Sequence, residues 1–132
     1  MTISPLPETV QVYKALGHPA RLRILAMLRG GELCACQITA VLELAPSTVS
    51  AHLAELRRAE LVTERKAGRW VQFQLAQTET ARETLEGLWR RVRRDAQVRS
   101  DKAVVKQLHT VPVEELCRAD MNLSLLAIPR AG

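Results

Sequence analysis

The sequence predicts a mostly helical fold with one small β-hairpin. Three observations predict it. Apolar residues recur at helical spacing from Leu6 to Leu56, punctuated by glycine and proline. The period then drops to two over Arg69-Trp70-Val71-Gln72-Phe73-Gln74-Leu75, where Val71, Phe73 and Leu75 alternate with glutamines. Small hydroxyl side chains, Ser47, Thr48 and Ser50, open the last helix before that hairpin. Two helices joined by a tight turn and followed by a hairpin make a winged helix-turn-helix.

Each element has its own signal. Leu6, Val10 and Tyr13 place a first helix from about Pro7 to Leu16, and Gly17 ends it. His18-Pro19 begins a second, with proline suited to the first turn; Leu22, Ile24, Leu25 and Leu28 form its apolar stripe and Gly30-Gly31 stop it. A third starts near Cys34 and turns Ile38, Val41 and Leu42 to one face. A fourth, Pro46 to about Ala59, buries Val49, Leu53 and Leu56 and exposes Ser47, Ala51, Ala54 and Arg58. Leu61 to Lys66 is a strand, Ala67-Gly68 the turn, and Arg65, Lys66 and Arg69 a basic hairpin tip.

A fifth helix is expected from about Thr78 to Val98. Ala81, Leu85, Leu88 and Val92 follow a coiled-coil spacing that, with the first helix, predicts a homodimer interface. From Ser100 the pattern is less regular, with one short helix from Pro112 to Ala119 and loose final residues 129–132. The expected organisation is a DNA-binding and dimerisation domain over residues 1–99 and a tail over 100–132 that carries Cys117.

Composition narrows the function. The chain has 132 residues, 47% hydrophobic but only 3% aromatic, so one core of Leu, Val, Ile and Ala is expected. Its formal charge is +5, compatible with nucleic acid. No apolar run is long enough to span a bilayer, and Met1 to Glu8 lack a basic stretch followed by an apolar one. These features predict a cytoplasmic protein with no membrane partner. Three cysteines in a reducing compartment point to metal or thiol chemistry rather than disulfides. A Ser/His/Asp set, a phosphate-binding glycine loop, a carboxylate pair and a Cys-x-x-Cys motif are all missing, so an enzyme is not expected.

A helix that reads the major groove needs small polar side chains near its start. Ser47, Thr48 and Ser50 meet that need, with Ala51 beside them on the outward face. Arg57, Arg58, Arg65, Lys66 and Arg69 suit phosphate contacts. His52 lies at the edge of the apolar stripe, where a structural or phosphate-touching histidine fits better than a metal ligand.

Cys34 and Cys36 stand just before the third helix's apolar repeat. Thiolates favour soft or thiophilic ions. Side chains at i and i+2 do not face each other on a regular helix, so joint binding needs a first turn that is distorted or already non-helical. The helix N-terminus is expected to lower a thiol pKa. Trivalent arsenic and antimony prefer three thiolates, and Cys117 is the remaining cysteine.

From Leu16 to Leu75 the chain resembles the ArsR/SmtB family of metalloregulatory repressors. The resemblance rests on Leu16-Gly17-His18-Pro19-Ala20-Arg21-Leu22-Arg23-Ile24-Leu25, on Glu32-Leu33-Cys34-x-Cys36, on Ser47-Thr48-Val49-Ser50-x-His52-Leu53 and on Gly68-Arg69. It implies a homodimeric winged-helix repressor that leaves an inverted-repeat operator when inducer binds. The box implies As(III), with Sb(III), Cd(II), Pb(II) and Zn(II) as alternatives, on Cys34 and Cys36; either Cys117 supplies a third thiolate, or the site has two thiols and another inducer. Arsenite sensors of the best-known pattern carry a third cysteine where this chain has Thr39. The family's second metal site, on the fifth helix, is not expected, because Thr78 to Val98 contain no histidine. Oxidation of Cys34 and Cys36 is a further alternative, although so short a spacing closes a strained ring.

Overall fold

The computed structural model describes residues 6–129. α1 (Leu6–Leu16) is followed by α2 (Pro19–Leu28), the short strand β1 (Leu33–Cys34), α3 (Ala35–Leu42) and α4 (Pro46–Arg58). The hairpin is β2 (Val62–Ala67) and β3 (Trp70–Leu75); α5 (Glu79–Val92), α6 (Ala96–Leu108), α7 (Val113–Arg118) and a 3-10 turn (Leu123–Leu126) complete the chain.

Local chemistry accounts for the boundaries. His18 caps α2: its backbone is extended and its Nδ1 accepts the Ala20 N–H at 3.0 Å. Pro19 takes the first helical position, where no N–H is needed. The helix-turn-helix is α3 and α4, joined through Glu43 in the left-handed conformation (φ 56°) and entered at Pro46. The hairpin turn falls on Gly68-Arg69, one residue later than expected, with Gly68 at φ 62°, where a side chain would be strained. β1 adds a third strand to the hairpin, giving the antiparallel order β1-β3-β2, with Leu33 opposite Phe73 and Cys34 opposite Gln72.

The expected fifth helix is two helices. α5 stops at Val92, and Asp95 caps α6 by accepting the Val98 N–H at 3.1 Å. Ser100 therefore sits inside a regular helix, and position 99/100 falls within α6. Asp101, Val104, Val105 and Leu108 are buried on one face of α6, against α2 and α3. The core is one apolar cluster that runs from Ala15 through Ile24, Leu25, Ile38, Val49, Leu53 and Leu56 to Leu116, Leu123 and Ile128. Within it, the Arg23 guanidinium clasps the Asp101 carboxylate at 2.8 and 2.9 Å, and Gln97 donates to the same carboxylate. The segment after residue 100 is thereby fixed to α2.

Candidate functional site

The start of α3 is not helical at Cys34. That residue has an extended backbone (φ −85°, ψ 164°), ends β1 and caps α3, while the Gln37 side chain accepts its N–H at 2.9 Å. Cys36 lies on the first turn of α3. α7 packs on α3 and brings Cys117 against it, with the two sulfurs 3.3 Å apart. Cys34 lies close enough to act on the Cys36 thiol. The three thiols are thus brought to one place within one chain, with Cys36 and Cys117 in contact. Among the described residues no group of three or more Cys, His, Asp or Glu side chains is placed to hold a metal ion as it stands, the three thiols included.

The electrostatics differ from the sequence expectation. Burial pushes the Cys34 thiol up, although the N–H groups of Gln37 and Cys36 favour its thiolate. Cys36 is pushed up to about 12, first by burial and then by its bond to Cys117 and the nearby thiols. The helix N-terminus is present, but desolvation outweighs it, so both thiols are protonated at neutral pH.

The thiol cluster connects to both parts of the winged helix. Through Cys34 it joins β3, opposite Gln72. Through α3 it leads to α4. One side-chain contact tightens the link to the wing: the Glu32 carboxylate accepts two hydrogen bonds from Arg65 at 2.7 and 3.0 Å. Glu114 on α7 lies near Trp70 of β3. The Arg65 pair holds the Glu32 carboxyl below its usual range, and Glu114's own N–H, ahead of Trp70, does the same for its carboxyl.

On α4 the outward face carries exposed Ser47, Thr48, Ser50 and Ala51, while Val49, Leu53 and Leu56 are buried. Arg57, Arg58, Arg65, Lys66 and Arg69 are exposed as well. Several are engaged: Arg57 with Glu64 at 2.8 Å, Arg58 with Glu55, and Arg65 with Glu32. Arg69 lies over the Trp70 ring at 5.9 Å. His52 differs from the rest. It is buried, its ring 4.3 Å from that of His18 and its Nδ1 3.5 Å from an Arg21 nitrogen. Burial first, then the charges of His18 and Arg21, lower its pKa. It sits between α2 and α4 rather than on the outward face.

The sequence did not reveal the Arg23–Asp101 clasp. An aspartate at a core-facing position of α6 interrupts the apolar stripe that would have marked that helix.

A hydroxyl-bearing helix held outward by a buried core, with a basic three-stranded wing beside it, defines a winged helix-turn-helix DNA-binding regulator. Residues 18–64 match the model of the bacterial regulatory protein arsR family. The chain is 43% identical over 65 residues to the arsenic resistance transcriptional regulator ArsR1 of Pseudomonas putida, a stretch covering 48% of this chain and 51% of that protein. Against HlyU from Vibrio cholerae the TM-score is 0.60 at 35% identity, over 67% of this chain and 95% of that one. A homodimeric winged helix-turn-helix domain from Mycobacterium bovis, described as from a possible ArsR-family regulator, gives 0.57 at 30% identity, covering 62% and 76%. The chain belongs to the ArsR family of bacterial transcriptional regulators. It spans 51% to 58% of the length of the first curated relatives it matches. Among the described residues no helix is long and apolar enough to cross a membrane.

Proposed function

We propose that this chain is a homodimeric transcriptional repressor that leaves its operator when trivalent arsenic bonds to Cys34, Cys36 and Cys117. The observation that carries the reading is the 3.3 Å separation of the Cys36 and Cys117 sulfurs, from segments 81 residues apart. Tetrahedral zinc thiolates, with bonds of about 2.3 Å, hold their sulfurs roughly 3.8 Å apart. The closer approach here suits the narrower angles of a pyramidal ion with a lone pair. The reaction balances without a base: three S–H and three As–OH groups give three As–S bonds and three waters. Cys34 has to close on the Cys36–Cys117 pair, and it stands at the end of a strand paired to the wing. Closure shifts β3 and the start of α3 together, and so moves the DNA-facing elements.

Ser47, Thr48, Ser50 and Ala51 form the groove-facing surface of this reading, with Arg57, Arg58, Arg65, Lys66 and Arg69 on phosphates of an inverted-repeat duplex. His52, buried against His18, positions α4 rather than touching DNA. Leu6, Val10 and Tyr13, 75%, 48% and 70% exposed along one face of α1, supply an apolar surface for a second copy. The expected α5 seam is turned instead into this chain's own core, with Ala81 and Leu85 buried and Leu88 and Val92 packed against it.

The same sulfur contact favours one second reading, oxidation of Cys36 and Cys117. Hydrogen peroxide would take two electrons and two protons from the thiols, leaving a disulfide and two waters.

The test is release from an inverted-repeat operator by arsenite, antimonite, cadmium, lead, zinc and peroxide. Arsenite is expected to release wild type, Cys117→Ser to require at least tenfold more, and Cys34→Ser or Cys36→Ser to stay bound. Release by the divalent ions alone refutes the arsenic assignment. Release by peroxide alone, reversed by a reductant, replaces it with the redox reading.

A further inference from the structure

A cavity of about 820 Å³ opens between the C-terminal ends of α2 and α5 and one face of α6. Its volume lies within the range of small-molecule sites, roughly 300–1,000 Å³. Five cations line it: Arg29 after α2, Arg93 after α5, and Arg99, Lys102 and Lys106 along α6. Among the described residues no aspartate or glutamate lines it. Trp89 and Met27, both buried, contribute its apolar lining.

Three of the cations have an ordinary explanation: Arg29 and Arg93 follow helix C-termini and Lys106 lies in the last turn of α6, where positive charge is favourable. Arg99 and Lys102 do not. Arg99, Lys102 and Lys106 stack like charges three and four positions apart, an arrangement that destabilises a helix. Nothing on the cavity wall neutralises them. The walls are also held in place. Arg29 lies over the Trp89 ring at 5.0 Å, and the buried Arg23–Asp101 clasp fixes α6 on α2. A preformed recess with a cationic wall and an aromatic surface matches an amphipathic anion, its acidic group among the lysines and its flat body against Trp89.

We propose that this cavity binds a small organic anion with an aromatic or other apolar body, at a site separate from the thiols. Duplex DNA is the competing occupant of a basic surface. The five cations are exposed, as phosphate contacts would be, but they rim a concave recess floored by buried Trp89 and Met27, and a phosphate backbone needs no such apolar floor.

The probe is 8-anilinonaphthalene-1-sulfonate, with uncharged 1-anilinonaphthalene as control, added to the full chain carrying Trp70→Phe so that Trp89 is the sole tryptophan. The sulfonate is expected to quench Trp89 with one molecule bound per protomer. The double variant Lys102→Gln/Lys106→Gln should weaken sulfonate binding about tenfold, from the loss of charged hydrogen-bond donors, and leave the uncharged control unchanged. Both lysines are exposed, and the melting midpoint checks folding; a single Lys106→Gln carries the test if the double variant melts early. Equal sulfonate affinity in wild type and variant overturns the proposal. So does a variant that loses affinity for random-sequence duplex while its sulfonate binding is unchanged, because the wall then belongs to the DNA interface.

Discussion

The Cys36 sulfur meets the Cys117 sulfur at 3.3 Å although 81 residues separate them in the chain. Neither helix that carries them creates this proximity alone. It needs α7 seated on α3, with Leu116 buried beside Cys117, and α6 held to α2 by Asp101. The consequence is that Cys36, half-buried and bonded to Cys117, holds its proton at neutral pH, as does buried Cys34, which separates one class of inducer from another.

Arsenous acid brings three hydroxyls that leave as water with the thiol protons, so its binding releases no net proton. Cadmium or zinc must instead displace a proton for each thiolate formed. With Cys36 pushed up to about 12 and Cys34 also raised, both thiols stay protonated between pH 6 and 8. Arsenite affinity is expected to be nearly flat over that window. Cadmium and zinc affinity should climb by up to about tenfold per pH unit for each thiol bonded. Titrating all three at several pH values checks this, and an arsenite slope as steep as cadmium's would contradict the proposed reaction.

The Arg23–Asp101 pair should be the most sensitive polar contact of the fold. Asp101 is 2% exposed and accepts from both Arg23 and Gln97. Asp101→Asn leaves the guanidinium facing an uncharged partner, at a cost of about 3 kcal/mol. Urea unfolding measures that cost. Because α6 leads into α7, the same variant should need more arsenite for release, approaching the behaviour of Cys117→Ser. A loss below about 1 kcal/mol, the scale of surface pairs, would show that the tail is held by its apolar contacts alone.

The helix-turn-helix and the wing were legible because periodicity records burial directly: Val49, Leu53 and Leu56 at helical spacing are all buried, and Phe73 is the inward residue of β3. β1 was not legible, since two residues carry no period. α6 was hidden because a core-facing position is aspartate, whose burial is satisfied by an arginine 78 positions earlier. The site was half visible. The spacing of Cys34 and Cys36 showed that a regular helix could not use both, and Cys34 is indeed extended. The sign of the thiol shifts was not visible, because the helix N-terminus can be inferred from the sequence but the depth of burial cannot.

Arg65 is expected to be restrained as a phosphate ligand. It donates to Glu32 at 2.7 and 3.0 Å, and that pair joins β2 to the residue two before Cys34. Exposed ion pairs stabilise little, so Glu32→Gln should leave the fold intact. It frees one cation on the wing, and operator affinity at low salt should rise several-fold. The log–log salt slope should steepen by about 0.9, the value of one added phosphate contact on duplex DNA. Binding isotherms over a salt series measure both, and an unchanged slope would mean that Arg65 stays off the phosphates.

His52 gives the fold an acid limit. Its folded pKa is lowered, so the neutral ring is the form the native state favours. The stability linked to it is present above the unfolded value of about 6.5 and is lost as pH falls through the lower folded value. Protonation there sets a charge beside His18 and Arg21 at the joint of α2 and α4, loosening the helix that carries Ser47 and Thr48. Urea midpoints should therefore fall more between pH 7.5 and 5 in wild type than in His52→Gln, since His18 and His109 are common to both proteins. Operator affinity should follow the same order. Equal falls in the two proteins would place the acid sensitivity elsewhere.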